Sequence, residues 1–196
     1  MTITPDDIER SARIRAITDN FFFWQGRRFV GLGFVMIFAA FAYLPGAYET
    51  ARNILLLASI AVALLLSERI GRHYRSEFGR VQPIPGAHAR RARLKWLLVY
   101  PAMIGSLVLD LIYPLPILVS GPVWAGALCL YRLSTGGGRD HYLVLAAMLA
   151  ALAFAPLLAG TTSKPAMPLL LLLLGTGYAV CAWLDDREMR AVLRGA

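Results

Sequence analysis

Asp110 is the one carboxylate that falls inside an apolar stretch of this sequence, between Trp96 and Tyr113. A carboxylate at membrane depth costs about 3 kcal/mol or more unless it is protonated or paired, so it marks a proton-binding or positioning site by default. No basic residue lies at that depth, and a partner has to come from another segment as a serine or tyrosine hydroxyl. The competing reading is local. Asp110 sits about two turns past the middle of its stretch, beside Tyr113, Pro114 and Pro116, where it can reach interfacial water.

The other candidates are weaker in pattern. Asp185 and Asp186 abut Arg187 and Glu188 at a helix end, and Asp186 can pair with Arg190 one turn on, a structural arrangement rather than a magnesium-holding acid motif. His73, His88 and His141 fall in or beside polar connections, so none offers an axial haem ligand within a span. His73 with Glu77 is a lone i,i+4 pair, whereas zinc takes three or four close ligands. Gly136, Gly137 and Gly138 lack the Gly-Lys-Ser/Thr that follows in a phosphate loop and read as a linker. HExxH and GxSxG are absent. The expectation is a protein that is not an enzyme, with no catalytic, cofactor-binding or metal-binding residues and no cofactor.

Membrane helices have to position these residues. Hydrophobic residues make up 58% of the chain and charged ones 16%, against about 45 to 50% and 25% in soluble domains. Apolar runs cover 29–44, 51–67, 96–113, 115–131, 142–159 and 167–184. Each is near the lower end of the roughly 17 to 25 residues that cross a bilayer. Arg10, Arg13, Arg15, Arg27 and Arg28, the segment 68–95, Arg132, Arg139, Arg187, Arg190 and Arg194 fall on one side of six such spans; Arg52 and Lys164 fall on the other. The positive-inside rule puts both termini and segment 68–95 in the cytosol, which predicts a multi-pass inner (cytoplasmic) membrane protein.

The predicted fold is all-α and polytopic: an N-terminal cytosolic or interfacial helix over 1–28, then a six-helix transmembrane domain over 29–196 arranged as three hairpins. Thr4, Pro5, Asp6, Asp7 and Glu9 form a helix-start pattern. Cys129 and Cys181 fall on the reducing side and read as packing residues. Helix association in lipid relies on small residues, so the ladders Ala147–Ala151–Ala155, Ser59–Ala63–Ser67, Gly121–Ala125 and Gly175–Ala179 are expected to face inward. Leu169 to Leu174 and Ile54 to Leu57 are expected to meet lipid, and Pro101, Pro122 and Pro156 to bend their spans.

Segment 68–95 is the long polar interruption, with Arg69, Arg72, Arg75, Arg80, Arg90, Arg91, Arg93 and Lys95 against Glu68 and Glu77. Its first part, to Phe78, is helix-compatible and continues the second span into the cytosol; Gly79 is the expected stop. Anionic headgroups of the inner leaflet are the natural partner of these cations, so a net charge of +8 does not imply nucleic acid. The stretch Tyr74-Arg75-Ser76-Glu77-Phe78-Gly79-Arg80-Val81-Gln82-Pro83 resembles the hydrophilic loop of small bacterial integral membrane proteins, some encoded beside winged-helix regulators. That resemblance implies a regulatory partner and carries no activity or site residues with it. The expected function is therefore non-catalytic: a basic cytosolic face that docks a protein partner, as a regulator's anchor or an accessory subunit, or a homo-oligomer. The alternative is a small oligomeric transporter or channel with Asp110 near the pathway.

Overall fold

The computed structural model describes residues 26–42, 49–78, 87–135 and 139–194. All regular structure among them is helical. The helices are α1 (Gly26–Ala42), α2 (Glu49–Phe78), α3 (Ala87–Ile112), α4 (Ser120–Thr135), α5 (His141–Ala153), a single turn α6 (Ala155–Leu158) and α7 (Met167–Arg194), the last preceded by a 3₁₀ turn at Lys164–Ala166. Three helical stretches, Asn53–Glu77, His141–Leu158 and Lys164–Leu193, are long and apolar enough to cross a membrane; Val30–Ala42 and Trp96–Ile112 are shorter apolar helices. The interfacial helix expected before residue 26 lies outside the described residues, as do Gly79 and Arg80.

The helices pack in the order α2, α1, α7, α5, α4, α3, each chiefly against its neighbours in that row. Glycine sets the closest approaches. At the α1–α7 crossing, a Cβ on Gly33 would lie 2.6 Å from the Gly175 carbonyl oxygen, so the two backbones touch. At the α4–α5 crossing, a Cβ on Gly121 would meet the Ala153 Cβ at 2.7 Å. Such contact gives van der Waals attraction where lipid offers no hydrophobic drive. α2 leans on α1 where Ala63 faces Gly31, and its Ile54, Leu55 and Leu57 are exposed, as expected for a lipid-facing side.

Two inward faces differ from the pattern. On α5 the buried residues are Tyr142, Leu145, Ala146, Leu149 and Ala153, and Ala147 and Ala151 are exposed. On α7, Leu170, Leu171 and Leu174 are buried, and only Leu169 of that run is strongly exposed. In a helix that is apolar all round, no polar side marks which residues turn inward. The fourth run also differs, because its first residues, 115–119, are irregular and α4 begins at Ser120. Pro114 and Pro116 account for this, since neither can donate to a helical ladder. Pro156 separates α5 from α6, and at that break the Ala153 carbonyl accepts the Leu118 N–H at 3.0 Å. Pro101 lies inside α3, whereas Pro122 sits in the first turn of α4, where proline is tolerated.

Candidate functional site

Charged residues collect where α2, α4 and α7 end and α1 and α5 begin, referred to below as the basic end. Asp186 is the hub. Its carboxylate is buried, accepts the Tyr74 hydroxyl and pairs with Arg27 Nε at 2.7 Å and Arg190 Nε at 3.1 Å. Arg190 also reaches Glu77 at 2.7 Å, and Glu77 meets His73 Nε2 at 3.3 Å. One carboxylate therefore ties α1, α2 and α7. The Asp186–Arg190 pair was legible as i,i+4 spacing; Tyr74, Arg27 and Glu77 come from other helices and were not.

Asp185, one residue earlier, faces the other way into a second cluster. It accepts the Tyr142 hydroxyl at 2.8 Å, lies 3.2 Å from His141 Nε2 and pairs with Arg139 Nε at 3.4 Å. Arg139 is wholly buried, with its guanidinium 5.2 Å from the Tyr131 ring centroid, an arrangement in which ring and carboxylate both stabilise the cation. Tyr131 in turn packs edge-on against Tyr142 at 4.9 Å. Sequence reasoning counted Arg139 only as a topology marker and set His141 aside. The signal was present, since Arg-Asp-His-Tyr at the start of one span and Asp-Asp at the end of another fall at the same membrane face.

Asp110 lies at the opposite end and is fully buried. Its oxygens accept the Val119 N–H at 2.9 Å, the Ser120 N–H at 2.7 Å and the Ser120 hydroxyl at 2.5 Å. These are the donors at the start of α4, so Asp110 serves as a cap supplied from another helix, and its acceptor charge suits the positive end of the α4 dipole. Ser163 closes the irregular 113–119 segment from the other side: its N–H donates to the Leu115 carbonyl at 2.7 Å and its hydroxyl accepts the Leu115 N–H at 3.2 Å. A serine hydroxyl does meet Asp110, but two of the three donors are backbone.

Arg69, Arg72 and Arg75 are exposed on the last turns of α2. Glu68 offsets part of that charge, at 3.0 Å from Arg75 and 3.8 Å from Arg72. Arg90, Arg91, Arg93 and Lys95 lie on the first turns of α3, so the basic lead into the third apolar run is helical. Among the described residues, no group of three or more His, Cys, Asp or Glu is placed to hold a metal ion, and Cys129 and Cys181 are free thiols.

Between α1, α3, α4, α5 and α7 lies a cavity of about 260 Å³. Six of its thirteen lining residues are aromatic: Trp96, Tyr100, Trp124, Tyr131, Tyr142 and Tyr178. Tyr131 and Tyr142 belong also to the Asp185 cluster, so that cluster backs one end of the cavity. Asp110 is not among the lining residues.

No family model, curated protein or solved structure matches this chain. The three features that bear on its function are thus the tied basic end, the capped opposite end and the aromatic cavity between them.

Proposed function

We propose that the chain is a six-span protein of a bacterial inner membrane, in three hairpins with both termini and segment 68–95 cytosolic, and that its basic face docks a protein partner without catalysis. The observation that carries this reading is the Asp186 hub. It fastens the charged end of α2 to α7 through Tyr74 directly and through Arg190 and Glu77. The end of α2 that bears Arg69, Arg72 and Arg75 is thereby held against a neighbour rather than left as a lone helix. A surface organised before contact loses less conformational entropy on binding, and exposed cations steer an acidic partner toward it. Anionic headgroups would share the same face.

Photocrosslinking from position 72 in native membranes should give a protein adduct of constant mass that disappears when Arg90, Arg91 and Arg93 are changed to Gln. Adducts with lipid alone overturn the reading. A reporter fused after Gly86 should be active only in the cytosol. The transporter alternative draws less support, because the Asp110 carboxylate is occupied by the start of α4 and lies apart from the cavity.

A further inference from the structure

The aromatic cavity has the features of a binding site for a lipid-soluble ligand, and nothing in the docking reading requires it. Along α3 it runs from Trp96 to Leu107, about 16 Å at 1.5 Å per residue, so it is a slot rather than a round pocket. Its volume of about 260 Å³ lies just under the roughly 300 to 1,000 Å³ of small-molecule sites. It would hold a head and the start of a tail. α3 packs chiefly against α4, and α1 reaches the slot through Leu32 and Met36. Leu32, Tyr100 and Ile104 on its rim are exposed, so a tail can leave sideways into lipid.

The lining specifies the head. It contains no charged residue, and a phosphate or ammonium inside would lose its hydration without a counter-charge. The Tyr142 hydroxyl is committed to Asp185, the Tyr131 hydroxyl to Arg139 and Tyr142, and the Trp124 indole N–H donates to the Met103 carbonyl at 3.3 Å. Two hydroxyls remain. Tyr100 and Tyr178 both line the slot, and neither hydroxyl makes a hydrogen bond among the described residues. A phenol donor surrounded by carbon is costly until an acceptor arrives. Trp96 packs on Tyr100 at 5.5 Å and on Tyr131 at 5.9 Å, which makes one wall a continuous aromatic surface.

We propose that this slot binds an uncharged lipid whose head carries a carbonyl oxygen, with Tyr178 and Tyr100 donating to that oxygen and the tail leaving past Leu32 and Ile104. Prenylated quinones and diacylglycerols share this chemistry, and the experiment separates them.

Trp96 and Trp124 both line the slot, so a protein carrying Trp24→Phe and Trp183→Phe reports on it by fluorescence. In detergent, this protein is titrated in one arm with decylubiquinone, itself a quencher, and in the other with brominated dioleoylglycerol. Saturable quenching in either arm supports the proposal, and the arm that saturates identifies the head. Tyr178→Phe, which removes one oxygen and little volume, should weaken that binding about tenfold, the size of one hydrogen bond. Ala127→Phe, which fills the slot, should abolish saturation while the melting temperature stays within a few degrees. Quenching that rises linearly in both arms, or saturable quenching that Tyr178→Phe leaves unchanged, overturns the proposal.

Discussion

Tyr74 and Asp186, 112 positions apart, share a buried hydrogen bond between the end of α2 and the end of α7. Within its own helix Asp186 pairs with Arg190, whereas the bond from Tyr74 comes from another helix. The contact therefore reports how the two helices are set against each other, and it is the point from which the basic end can be taken apart.

Asp186→Ala should be the most destabilising of the single changes at the hub, at about 3 kcal/mol, because it removes the acceptor of the buried Tyr74 hydroxyl and takes one of two carboxylates from Arg190, which keeps Glu77. Tyr74→Phe should cost about 1.5 to 3 kcal/mol, as for a hydrogen bond to a charged group. Arg27→Ala should cost under about 1 kcal/mol, because half of that side chain is exposed to solvent screening. Thermal unfolding in detergent would rank the three, and the reverse order would refute the hub.

Arg139 and Asp185 should behave as one unit. Arg139→Ala is expected to lower stability by about 3 kcal/mol, since it takes the guanidinium from a buried carboxylate that keeps Tyr142 and His141. The double variant Arg139→Ala with Asp185→Asn should recover part of that loss. A double-mutant cycle measures the coupling, expected at about 1 kcal/mol or more; simple additivity would show that the pair is incidental.

Asp110→Ala should act on the start of α4 rather than on the bundle as a whole. The loss is expected at about 1 to 2 kcal/mol, as for removal of a helix cap. Amide exchange at Val119 and Ser120 should speed up more than exchange in α7. Unchanged protection at those two amides would remove Asp110 from the capping role.

Two glycine-to-alanine changes should have opposite signs. At Gly175 the added Cβ would lie 2.6 Å from the Gly33 carbonyl oxygen and 2.7 Å from Ile37 Cγ1, so α1 and α7 must move apart at a cost of about 1 to 3 kcal/mol. At Gly105 nothing lies within 4 Å, and alanine should stabilise the α3 helix by up to about 1 kcal/mol. Melting temperatures of the two variants test the α1–α7 crossing directly.

Much of this protein is written in one dimension. The helical class, the apolar runs and the extension of α2 to Phe78 follow from residue order alone, because the cost of desolvating a charge acts on each position without reference to a partner. Asp110 stood out for the same reason. What the residues meet is different in kind. That Asp110 caps α4, that Asp185 and Asp186 face two separate clusters, and that Tyr100 and Tyr178 share a slot all depend on how helices are rotated and crossed. Chain spacing does not encode rotation when every side of a helix is apolar, as Ala146 and Leu170 show by turning inward where Ala147 and Leu169 do not. Tertiary packing selects the face through backbone approaches such as Gly33 on Gly175, and only that selection brings the distant polar groups together.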